Sequence, residues 1–165
     1  MGMICNLLRV KKSELEEYLK DSSLLENNIY NEDTDEENPN LTDIDKSWDG
    51  IIFLLTGNGF ANNKHPLLKV LLSGQLIDEE QDLGYGPAHY LTPEQVKELN
   101  EQISNITTED LRKKFDTKKM KEQNVYADVW NGEEDLDYLT DHFKTVQEVY
   151  AEAAKNDEAI ITFIN

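Results

Sequence analysis

The chain has 165 residues, with 34 acidic against 16 basic side chains and a formal net charge of −18. That length suits a single domain, and no apolar run approaches the roughly 20 residues that span a bilayer. The charge disfavours direct binding to nucleic acid or to an anionic lipid surface, and it would steer a basic partner inward. A single cysteine, Cys5, excludes an internal disulfide and suits a reducing compartment, so the sequence points to a cytoplasmic protein.

Residues 1–10 read as a strand. Met3, Cys5 and Leu7 alternate with Ile4 and Leu8, so both faces are apolar and the strand belongs inside a sheet. Ser13 and Glu16 have the spacing of a capping box that opens a short helix with Leu15, Tyr18 and Leu19 on one side. From Glu26 to Lys46 the chain turns acidic around Asn38-Pro39-Asn40 and reads as a loop. A calcium loop starting at Asp33 fails the pattern, because Asn38 and Ile44 stand where Gly and Glu are needed.

Asp45 has the position of an N-cap for a helix running to Leu55, apolar almost all round through Trp48, Ile51, Ile52, Phe53 and Leu54. Gly57 marks its left-handed end. Pro66 opens a second apolar helix with Leu67, Leu68, Leu71 and Leu72, closed by Gly74, and the two suggest an antiparallel hairpin. Next comes the loop Asp82-Leu-Gly-Tyr-Gly-Pro-Ala-His-Tyr90, with a short extended piece over residues 88–91. Thr92, Pro93 and Gln95 then form a capping box for a helix burying Val96, Leu99 and Ile103. Two short helices follow, one capped by Thr107 or Thr108 and one by Asp116. Residues 125–130 read as a strand. Glu133, Glu134 and Asp135 open the longest helix, with a seam of Leu136, Leu139, Phe143, Val146, Tyr150 and Ala153. Residues 159–164 form a last strand. Together these elements predict an α+β fold in one domain over 1–165, its helices packed on a small mixed sheet that includes both terminal strands.

No catalytic residue is nominated. His65, His89 and His142 are scattered, and no zinc, P-loop or nucleophile-elbow pattern occurs; neither metal nor cofactor is expected. Two constellations remain as candidate ligand or partner sites. Asp45, Trp48 and Asp49 place carboxylates beside an aromatic ring. Gly84, Tyr85, Gly86, Pro87, His89 and Tyr90 set an imidazole among phenols on a glycine-rich loop, a grouping that also fits plain turn chemistry.

Taken together, the start Met-Gly-Met-Ile4, the segment Asp43-Ile-Asp-Lys-Ser-Trp-Asp-Gly50, Leu54-Leu-Thr-Gly57, Pro66-Leu67, the loop Asp82 to Ala88 with Tyr90-Leu-Thr-Pro93, Val125-Tyr126 and Trp130 resemble the YfbM-like family of uncharacterised bacterial proteins, a domain of unknown function. The resemblance implies a single α+β domain in a bacterial cytoplasm, and no activity or catalytic residue comes with it. The charge favours a non-enzymatic protein that binds a basic protein, as an immunity protein or inhibitor does. The alternative is a small-molecule binder or enzyme whose pocket joins Trp48 to the Tyr85–Tyr90 loop. Oligomeric state cannot be read from the sequence.

Overall fold

The structure is a computed structural model that describes residues 2–31, 33 and 37–165. Strands β1 (Cys5–Lys11), β2 (Leu41–Asp43), β3 (His89–Leu91) and β4 (Glu158–Ile164) form one sheet in the order β2-β1-β4-β3. The α+β expectation and the inclusion of the terminal strands hold. Every pairing is antiparallel, however, where a mixed sheet was expected. The central pair runs from Cys5 opposite Ile164 to Lys11 opposite Glu158. Both strands carry apolar residues at successive positions, which demand cover on two faces and place this pair at the centre of the sheet.

Helices α3 (Trp48–Thr56), α4 (Pro93–Ile103), α5 (Thr108–Lys114), α6 (Thr117–Glu122) and α7 (Glu133–Lys155) build the larger core, into which Cys5, Leu7 and Ile160 of the sheet point. On the opposite face, Leu8, Val10, Ala159, Ile161 and Phe163 pack against α1 (Lys12–Lys20), α2 (Ser23–Ile29) and the chain around Ile77, Leu83 and Ala88. The sheet is thus the middle of three layers. The seam of α7 from Leu136 to Ala153 is buried throughout. Its Tyr150 hydroxyl donates to the Val70 carbonyl at 2.5 Å. Gln147 Nε2 donates to the carbonyls of Ile103 and Ile106, satisfying acceptors left open where α4 ends.

Several local expectations hold: the Thr92–Gln95 box, the Thr107 and Asp116 caps, and the left-handed Gly57. Others do not. Helix α1 starts at Lys12, and Glu14 rather than Glu16 accepts the N–H that opens it, from Lys11. The described part of the acidic stretch contains α2 and β2, because Leu25 is wholly buried and Leu41 has a sheet edge to join. Residues Glu32, Thr34, Asp35 and Glu36 of that stretch, and Met1, lie outside the described residues. Asp45 does not cap α3: its backbone is left-handed (φ 52°), and a 3₁₀ turn over Asp45–Ser47 precedes the helix. Pro66–Val70 is also a 3₁₀ turn, capped by His65 Nδ1, so no helical hairpin forms. Residues 125–130 make turns instead of a strand, with Trp130 Nε1 donating to the carbonyls of Val125 and Tyr126.

Candidate functional site

Trp48 opens α3 inside the larger core, 2% exposed. Its indole N–H donates to the Met3 carbonyl at 3.0 Å. Its ring lies between Tyr126, stacked at 5.6 Å, and Phe60, tilted at 5.2 Å. The next residue, Asp49, is equally buried. One carboxylate oxygen accepts the Phe60 N–H at 2.7 Å and the other the Tyr126 N–H at 2.8 Å. Burial pushes its pKa up while the two backbone donors pull it down. Asp49 therefore ties two loops to the first turn of α3. Beside it opens a cavity of about 610 Å³ walled by Asn58, Phe60, Asn62, Gln123 and Asn124. Asp45 faces elsewhere and accepts the Tyr138 hydroxyl at 2.7 Å. Burial, reinforced by that carboxylate, raises the Tyr138 pKa.

The glycine loop is held from beneath. Asp82 accepts the N–H groups of Gly84 and Gly86, which depress its pKa. The Tyr30 hydroxyl donates to the Leu83 carbonyl, and the Tyr85 N–H donates to the Ile164 carbonyl. Gly84 is required twice over: its φ is 135°, and a Cβ there would stand 2.8 Å from the Asn165 Cα. Tyr85 itself is 53% exposed. His89 Nδ1 accepts the Gly74 N–H, and burial lowers the imidazole pKa, so the ring serves as a neutral acceptor in a backbone turn. The Tyr90 backbone bonds to Gln75 while its side chain packs into the smaller core. Pro87 is half-buried after the turn.

The two constellations do not converge. Trp48 and Asp49 belong to the core on one face of the sheet, and Leu83, Ala88 and Tyr90 anchor the loop on the other. The pocket joining Trp48 to the Tyr85–Tyr90 loop, which the alternative reading requires, does not form: β1 and β4 separate the two groupings. Phe60 and Tyr126, the ring partners of Trp48, escaped the sequence reading because they lie 12 and 78 residues away with no periodic relation to it.

Acidic groups, by contrast, do gather. The nine acids between Lys20 and Lys46 have no Lys or Arg among them, and neither do Asp78, Glu79, Glu80 and Asp82. These two segments meet: Ser22 Oγ donates to Asp78 at 2.6 Å and Gln81 Nε2 donates to the Ser22 carbonyl at 2.9 Å. Asp21, Glu26, Asp33, Glu37, Asp43, Glu79, Glu80 and Asp82 are exposed there, and none takes part in an ion pair among the described residues. Among the described residues there is also no cluster of three or more His, Cys, Asp or Glu able to hold a metal ion, and no helix long and apolar enough to cross a membrane.

The chain is similar in structure to YfbM from Escherichia coli, a protein of unknown function, with a TM-score of 0.77 and 18% sequence identity over 99% of this chain and 100% of that one. At that identity the likeness speaks to the fold alone. No curated protein matches the sequence. A family model described as Domain of unknown function (DUF1877) matches residues 1–163, and the chain belongs to that family.

Proposed function

We propose that this protein is a non-enzymatic binding protein of the cytoplasm whose acidic face receives a basic protein, in the manner of an immunity protein or inhibitor. The supporting observation is the meeting of two base-free segments, the described part of 21–41 and residues 78–82, on one side of the sheet. Carboxylates so arranged add their fields and accelerate encounter with a cationic surface, and the effect fades as salt rises. Asp49 and His89 are engaged structurally: both Asp49 oxygens and His89 Nδ1 accept backbone N–H groups.

The test is a pull-down from host lysate at low salt, followed by a wash series of increasing salt, with the wild type beside the charge reversal Glu26→Lys/Glu79→Lys/Glu80→Lys. A stoichiometric basic protein that elutes with salt and is lost by the reversal is the expected result. Retention by the reversed variant would refute the reading. A second reading, a small polar ligand, is favoured only by the amide-lined cavity beside Asp49. It predicts that Asn62→Ala and Asn124→Ala abolish ligand-induced thermal shifts while leaving the partner bound.

A further inference from the structure

A second depression lies on the larger-core side of the sheet, among α3, the 66–70 turn and α5. Leu54, Leu55, Leu67, Ile106 and Leu111 wall a groove of about 370 Å³. Leu54, Leu55 and Leu111 are almost wholly buried, whereas Leu67 and Ile106 are half-buried and form its sides. Three charged residues complete the lining: Asp110, Lys113 and Lys114. Asp110 is committed to the α5 cap, where its carboxylate accepts the Thr107 N–H at 2.9 Å. Neither lysine takes part in an ion pair among the described residues, although acids outnumber bases two to one in the chain. They also belong to its most basic stretch, six Lys or Arg within the ten residues from Arg112 to Lys121, with Asp116 the one acid.

We propose that this groove binds an amphiphilic anion, an alkyl chain ending in a carboxylate held by Lys113 and Lys114. Five aliphatic side chains supply the apolar wall such a chain requires, and Lys113 and Lys114 outnumber the single carboxylate of Asp110, already hydrogen-bonded in the α5 cap, among the charged groups that supply orientation. Lysine suits the task because its methylene stem extends the apolar wall while its ammonium stays at the rim. The volume is at the small end of ligand sites, which limits the chain to on the order of ten carbons. An amphipathic helix is disfavoured by the same size, because it needs anchors spread over two or more turns along a longer groove. The overall negative field does not forbid the anion, since charges beyond a Debye length of about 10 Å are screened at moderate salt and the two ammonium groups are local. The site does not depend on the acidic face, which lies across the sheet.

Isothermal titration with decanoate, below its micelle concentration, tests the proposal, with decyltrimethylammonium as the cationic twin. We expect saturable one-to-one binding of decanoate and none of the cation at the same site, read by methyl chemical shifts of Leu67 and Leu111. Lys113→Glu/Lys114→Glu should weaken decanoate about tenfold or more, as expected when two charge-assisted contacts are reversed. Leu67→Asp should abolish it, and thermal melts establish that each variant is folded. The wild-type comparison of the two probes needs no variant. Absence of saturable decanoate binding, equal affinity for the cation, unchanged affinity in the folded double-lysine variant, or binding of an acidic amphipathic peptide in place of decanoate would each overturn it.

Discussion

Replacing Asp49 by Asn tests whether this buried carboxylate is a structural tie. Its two oxygens each accept one backbone N–H, from Phe60 at 2.7 Å and Tyr126 at 2.8 Å, within a group 1% exposed. An amide keeps one acceptor and turns an NH₂ toward the other donor. That strands one buried N–H, which costs about 1–3 kcal/mol, and weakens the surviving bond by removing its charge. Relief from burying the ion, visible in the raised pKa, offsets part of this. We expect a loss of about 2 kcal/mol for Asp49→Asn and about 3–4 kcal/mol for Asp49→Ala, in which both donors are orphaned. Urea unfolding followed by tryptophan fluorescence reads the loss directly, because Trp48 adjoins the site. With an m-value of about 2 kcal/mol per molar, the Asn variant should shift the midpoint down by about 1 M. A shift below about 0.25 M, equivalent to roughly 0.5 kcal/mol, would refute the reasoning, because it would mean that water or relaxed loops satisfy those donors as well as the carboxylate does.

Gly84→Ala should destabilise by about 2–3 kcal/mol, since the side chain meets both a left-handed backbone and the Asn165 main chain; Gly86→Ala, with open space around it, should lose only about 1 kcal/mol in the same urea assay. His89 gives a pH dependence. Its folded pKa lies below the ordinary 6.5, so the stability it contributes is fully present above pH 6.5 and is lost as pH falls through the folded value. His89→Asn keeps an acceptor for the Gly74 N–H and cannot titrate, so the difference in unfolding free energy between wild type and variant should shrink on acidification across that window. A difference that is constant with pH would reject the role. Tyr85→Ala, at an exposed position, should leave the unfolding free energy within about 0.5 kcal/mol of wild type.

What was legible in the sequence divides along physical lines. The long seam of α7, the two-faced terminal strands and the Thr92–Gln95 box are local signals, because each is written in residues three or four apart or in strict alternation. Helix α2 was missed for lack of such a signal: it has seven residues, and of its apolar side chains only Leu25 is fully buried. The 3₁₀ turn at Pro66–Val70 carried the apolar content of a helix, yet only Val70 within it is fully buried, so composition alone misled about its geometry. Asp45 and Asp49 show why the site was harder still. As sequence they are equivalent carboxylates flanking Trp48. Asp45 gains a phenol from Tyr138, 93 residues on, whereas Asp49 gains two backbone donors, from Phe60, 11 residues on, and Tyr126, 77 residues on. No local pattern encodes such partners.

The layering explains why the charge became informative only in three dimensions. With β1 and β4 covered on both faces, each outer layer meets solvent on one side and carries its own charge. The layer of α1, α2 and residues 77–88 contains Asp21, Glu26, Asp78, Glu79, Glu80 and Asp82, whereas α5 and α6, packed on the other core, contain the lysine-rich stretch from Arg112 to Lys121. A net charge of −18 averages over this separation and suggests uniform repulsion of anions. The sheet separates a side rich in exposed carboxylates from another where local lysines border an apolar groove. Ligands of opposite sign can therefore be tested on the same protein. Because the two sites share no residue, reversing charge on one should leave affinity at the other unchanged within about 0.5 kcal/mol, as expected of distant positions without common partners. A loss of decanoate binding caused by the Glu26→Lys/Glu79→Lys/Glu80→Lys reversal would contradict that independence and point to coupling through the sheet.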